Sequence, residues 1–182
     1  DIIGHDVMFA GSNEQDYDAE SGDDIMGQGE SVVRNEGMWG YAWGIYKGVS
    51  RDGDADLIVP IFTTEEQDIL RNRFDQVEAL SGWNQDDILR GDNRSNLNDP
   101  GPNDGVELRL DNNELTHDGV DRIAGLRTLL GDLITERPPG ADTIAFDDGN
   151  ILLGGGGSDT IEGRGGNDVI DGDAWLNVRI GI

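Results

Sequence analysis

The run Gly154–Asp171 consists of two tandem copies of one nine-residue unit, Gly-Gly-Gly-Gly-Ser-Asp-Thr-Ile-Glu and Gly-Arg-Gly-Gly-Asn-Asp-Val-Ile-Asp. Glycine fills the first and fourth places, Asp the sixth and an aliphatic residue the eighth, and Gly172-Asp173 opens a third copy. Such a period leaves a chain few options. The last residues of each unit, Thr160-Ile161-Glu162 and Val169-Ile170-Asp171, can extend as short strands whose middle side chain, Ile161 or Ile170, turns inward. The glycine-rich remainder must bend, because glycine accepts left-handed and tightly turned backbone and leaves its carbonyl oxygens uncovered. Asp159 and Asp168 add carboxylates to those carbonyls. An all-oxygen loop of this kind suits a hard cation that takes about six to eight oxygen ligands at flexible geometry, calcium rather than zinc or magnesium.

The unit resembles the calcium-binding nonapeptide of RTX (repeat-in-toxin) proteins. The resemblance implies a mainly β fold, a parallel β-roll with two units per turn, loops stacked along both sides and calcium between loops of successive turns. It also implies a ligand set: Gly154, Gly156, Ser158 and Asp159 in the first copy, Gly163, Gly165, Asn167 and Asp168 in the second, and Gly172 and Asp173 in the third.

Composition supports a fold that depends on an ion. The 182 residues carry a formal charge of −25, from 38 acidic and 13 basic side chains, and only 35% of them are apolar. Self-repulsion of that size with so little apolar material approaches the composition of disordered chains, so folding and cation binding are expected to be one equilibrium. The surface charge has the wrong sign for nucleic acid or anionic membranes. There are no cysteines, hence no disulfides or thiolate metal sites, and no apolar run long enough to span a bilayer.

Residues 1–30 keep the nine-residue register with decayed glycines. Asp6, Gln15 and Asp24 are nine apart, and Met8, Tyr17 and Met26 follow each by two. Asp24, behind Gly22-Asp23, is the candidate ligand of this block. Residues 31–140 are expected to be an insert of extra strands and one or two short helices. Trp39, Tyr41, Trp43, Ile45 and Leu57-Ile58-Val59 alternate or run as strands do. The aromatic stripe suits core packing, with a glycan-stacking surface as the competing use. Thr63–Gln67 has the form of a capping box ahead of a helix at about residues 64–74. A half-repeat at 84–93 offers Asp87 and Asp92, with Leu89 in the inward place. Asp99-Pro100 lies in a polar loop, and a second helix, broken at Gly125 and Gly131, is expected over 116–136. From 141 the repeats resume, Asp142 and Asn150 holding the ligand place and Ile144 and Leu152 the inward one; a strand through Leu176, Val178 and Ile180 is expected to cap the open end.

Several segments extend the resemblance. Asp16–Glu20, Tyr46-Lys47-Gly48, Leu80–Asn84, Leu89–Arg94, Gly163–Asp168 and Trp175–Arg179 are similar to the calcium-binding region of large bacterial RTX proteins that carry a haem-peroxidase domain elsewhere. That domain is not in this chain. Its two histidines, His5 and His117, lack the apolar helix a haem pocket needs and are expected to be solvated. The reading implied is a non-catalytic calcium-folding module of a secreted protein that is part of a larger polypeptide and uses type I export machinery. Self-cleavage at Asp99-Pro100 and ligand binding by residues 39–46 are the alternatives.

Overall fold

The computed structural model describes residues 4–93, 114–147 and 149–178. They form a mainly β protein of parallel sheets with a few short helices. Six strands make the largest sheet, in the order β1 (Val7–Phe9), β3 (Ile25–Gly27), β5 (Trp43–Ile45), β8 (Ala79–Ser81), β12 (Ile151–Leu153) and β14 (Val169–Asp171). All five pairings are parallel. Between these strands the chain crosses to two three-stranded parallel sheets: β2 (Gln15–Asp18), β4 (Val33–Glu36) and β7 (Arg73–Asp75) in one, and β6 (Asp54–Asp56), β9 (Ile88–Arg90) and β13 (Thr160–Glu162) in the other.

The register carries the nine-residue period into three dimensions. Val7 pairs with Ile25, Ile25 with Trp43, and Ile151 with Val169, each 18 residues on, so one circuit of the chain consumes two units. Gln15 pairs with Val33 at the same interval. Where the interval is longer, as for Trp43 with Ala79 and Ala79 with Ile151, it remains a multiple of 18 in this sheet. Excursions from the six-stranded sheet therefore rejoin it in phase, whereas the flanking sheets pair Arg34 with Arg73 and Asp54 with Ile88, off that period. Strands from 33–90, assigned to an insert by the sequence reading, pair in the same sheets as those of the repeat blocks.

Alternation along each strand divides the core in two. Met26, Leu80 and Leu152 turn inward with Val33, Ala55, Phe74 and Leu89. Their neighbours Trp43, Ile45, Ala79, Ile151, Leu153 and Val169 turn the other way. One short helix, α1 (Glu66–Ile69), lies between β6 and β7; the outer face is covered by the excursion between β9 and β12, made of β10 (Leu115–Thr116), α2 (His117–Arg122), α3 (Leu126–Leu130), a 3-10 turn Gly131–Leu133 and β11 (Ile144–Phe146). Leu115, Val120, Leu126, Leu130 and Phe146 pack on the sheet from this side. The breaks expected at Gly125 and Gly131 are present, both at positive φ.

Four local expectations are corrected. The helix expected over 64–74 is only α1, its N-cap Glu65 accepts no side-chain bond, and Phe74 and Val77 belong to strand and core. A short helix leaves Ile69 and Leu70 exposed, and pairing of Phe74 with Asn35 outweighs the local helical spacing. Leu57-Ile58-Val59 is a turn after β6 rather than a strand. Ile170 is half exposed, because β14 is the last strand of its sheet and nothing stacks beyond it among the described residues. The tail through Leu176 is not a strand: Leu176 N–H bonds Ser81 Oγ and its side chain joins the outer cluster, while Ile180 lies outside the described residues.

Candidate metal centre

Each circuit has two bends, one leading into the six-stranded sheet and one leaving it, so the bends stack in two columns. Where the repeat is recognisable their backbones agree. The second place has left-handed φ at Glu20 (60°), Met38 (57°), Gly155 (95°) and Arg164 (68°), and the fourth at Gly22 (133°), Gly40 (115°), Gly157 (125°) and Gly166 (104°). Side chains tolerate the first range at a cost; the second is glycine territory, which is why the fourth place is the strictest in the unit. Gly37–Ala42 obeys the same rule and is a bend of the same kind, missed in the sequence because Ala42 replaces the sixth-place Asp.

The sixth-place side chain clamps one circuit to the next. Asp24 Oδ1 accepts the Asp6 N–H at 2.7 Å, and Asp168 Oδ1 the Asn150 N–H at 2.8 Å. In the other column Asp159 Oδ1 accepts the Asp87 N–H at 2.9 Å, and Asp87 Oδ1 the Gly53 N–H at 2.6 Å. Glu78 and Asn72 do the same for Ala42 and Val33, and neither was foreseen. Glu78 lies 36 residues beyond Ala42, two circuits on, but Asn72 lies 39 beyond Val33, off the period, so spacing gives no signal for it. Asn150 is fully buried and bonds Asp92 N–H through Oδ1 and Glu78 O through Nδ2.

The second oxygen of each carboxylate lies on the bend side, where that of Asp87 accepts the Trp83 N–H at 2.8 Å. A Cβ on Gly82 would stand 2.2 Å from Gly154 O and 2.4 Å from Asp87 Oδ2; one on Gly154 would stand 2.5 Å from Asp159 Oδ2 and 2.7 Å from Gly172 O. On Gly163 it would meet Asp168 Oδ2 at 2.2 Å. Between bends 82–87 and 154–159, Gly156 N–H bonds Trp83 O at 2.6 Å and Ser158 N–H bonds Asp86 Oδ1 at 2.7 Å. Asp86, which the sequence reading had not included, is thus spent on an inter-circuit hydrogen bond. Gly165 N–H bonds Asp92 O at 3.3 Å, and Asn167 lies against Gly149.

Burial makes these carboxylates uneasy. Asp24 is fully buried, its Oδ2 has no hydrogen-bond partner, and burial pushes its carboxyl up to about 6 despite the Asp6 N–H. Burial also raises the Asp87 carboxyl, against the pull of the Trp83 and Gly53 N–H groups, and Asp159 adds to the rise. A nearby cation would satisfy both. Carboxylate and carbonyl oxygens crowding glycines, together with an orphaned buried carboxylate oxygen, fit a hard cation. No group of three or more His, Asp or Glu able to hold a metal is present among the described residues, so carbonyls would have to supply much of any shell.

Not every candidate reaches the columns. Asp142 Oδ1 caps Asp118 N–H at 2.9 Å beside the antiparallel pair β10–β11, so the register proposed for 141–149 does not hold; Ile144 lies in that pair and is partly exposed. The chain turns away at Asp173, where Asp171 Oδ1 accepts the Asp173 and Ala174 N–H groups. Asp99-Pro100 lies outside the described residues. Of the aromatic stripe, Tyr41 and Trp43 are buried and Trp39 is half exposed. His5 is exposed and accepts the Asp23 N–H, but His117 is buried between Arg127 and Thr135 rather than solvated, as the outer cluster closes over the start of α2.

Comparison with protein-family models, with curated proteins and with solved structures gives no match for this chain.

Proposed function

We infer that this chain is a calcium-binding module that folds on binding, a parallel β-roll of the RTX type without catalysis of its own. The observation that carries the reading is the recurrence, at 18-residue circuits, of glycine-walled bends with sixth-place carboxylates facing loop carbonyls. Asp159 Oδ2, with the Gly154 and Gly172 carbonyls beside it, would contribute to a largely carbonyl shell in one column, and Asp24 Oδ2 would do so in the other. The ion would neutralise carboxylates that otherwise repel one another in a chain of charge −25. Extracellular modules of weak affinity, about 10⁻⁴–10⁻³ M, match a switch between calcium-poor cytoplasm and calcium-rich exterior. Export of an unfolded acidic chain through a type I system, as part of a larger secreted polypeptide, accords with that switch.

The test is circular dichroism during a calcium titration of chelated protein, with magnesium as control. Strand signal should grow with calcium in the sub-millimolar to millimolar range and not with magnesium. A spectrum equally strand-rich after exhaustive chelation refutes the reading.

A further inference from the structure

The bend at Gly163 differs from its counterpart at Gly154 in two respects: the Asn150 amide stands where the other has the Asp87 carboxylate, and its second place carries a cation. Its oxygens are arranged alike: a Cβ on Gly91 would stand 2.4 Å from Asn150 Oδ1 and 2.6 Å from Gly163 O, as one on Gly82 would meet Asp87 Oδ2 and Gly154 O. The second place, however, holds Arg164 where the sister bend holds Gly155. Arg164 sits at φ 68°, and its Nη1 donates to Gly91 O and to Asp56 Oδ1, both at 2.6 Å, while Nη2 donates to Asp56 Oδ2 at 2.8 Å. Its side chain is largely buried. A guanidinium is thus fixed on the Gly91 carbonyl, whereas the counterpart carbonyl of Gly82 accepts only the Ser81 hydroxyl among the described residues.

We propose that Arg164 is a built-in cation that takes the place of a calcium ion between the Gly91 turn and the bend 163–168, making that circuit closure metal-independent. The proposal rests on the calcium reading of the module and specifies which bends take the ion. A guanidinium and a divalent cation cannot share one carbonyl and its surrounding carboxylates: Arg164 already supplies the charge, bonds Gly91 O and holds Asp56 bidentate. The sister bends 82–87 and 154–159 have no such side chain and are left for calcium.

Arg164→Gly tests this, since glycine accepts the φ of the second place and removes the cation without strain. Equilibrium dialysis and isothermal titration calorimetry should count one more calcium per chain in Arg164→Gly than in the natural chain, and the natural count in Arg164→Lys. In chelator the Arg164→Gly chain should melt lower than the natural chain, and saturating calcium should close most of that gap. An unchanged count in Arg164→Gly, or a gap that calcium leaves untouched, overturns the proposal, as does a variant that stays unfolded in excess calcium. A natural chain that binds no calcium overturns the module reading itself, and this inference with it; the two failures are told apart by the natural chain's count.

Discussion

Adding one methyl group at Gly157 should be far more damaging than adding it one residue earlier. Gly157 has φ 125°, and a Cβ there would lie 2.2 Å from Gln85 O and 2.7 Å from Gln85 C, backbone atoms of the neighbouring circuit that cannot swing aside. The conformation alone costs an alanine about 1–3 kcal/mol. Forcing the two bends apart adds about 1–3 kcal/mol as overpacking. Gly156 has no such φ, and its Cβ would approach nothing closer than 3.5 Å, so Gly156→Ala should be neutral or stabilise by up to about 1 kcal/mol through the unfolded chain. Both variants keep every backbone oxygen offered to a cation. For a domain of this size each kcal/mol moves the melting temperature by about 2–4 °C. Thermal melts in saturating calcium, followed by circular dichroism, should therefore place Gly157→Ala at least about 4 °C below Gly156→Ala. Melting temperatures within about 2 °C of each other would refute the argument that the fourth place is held by backbone geometry and inter-circuit contact.

Three further outcomes are expected. Glu36 pairs in register with Asp18 and Asp75, and burial, with those two charges second, raises its carboxyl. Its folded pKa exceeds the unfolded one, so its contribution is full below the usual carboxylate range and lost as pH rises through the raised value; Glu36→Gln should gain up to about 1 kcal/mol at neutral pH and nothing in acid, by urea unfolding at both. Asp159→Asn should raise the calcium midpoint of folding about tenfold or more, whereas Asp142→Asn, outside both columns, should leave it unchanged in the same titration. Leu130→Ala, in the excursion that covers the outer face, should cost about 2–5 kcal/mol in chemical denaturation, since Leu130 is almost wholly buried there.

The nonapeptide alone determined that the chain makes very short strands separated by bends, and which side chain of each strand turns inward where a circuit follows, as Leu89 and Leu152 do. Such a period is local: glycine, Asp and an aliphatic residue at fixed intervals dictate backbone and side direction with no help from distant residues. The bends at Gly37–Ala42 and Gln76–Glu78 were not legible, because pairing with neighbouring circuits holds a backbone whose own sequence has drifted. Tertiary structure alone decided that the central strands of the six-stranded sheet are buried on both faces, since Trp43, Ile151 and Leu153 find their cover only when residues 115–146 fold back from far along the chain. It also decided that Arg164 reaches Asp56 and Gly91, two residues that sequence spacing sets far from it and that only the stacking of circuits brings within a hydrogen bond.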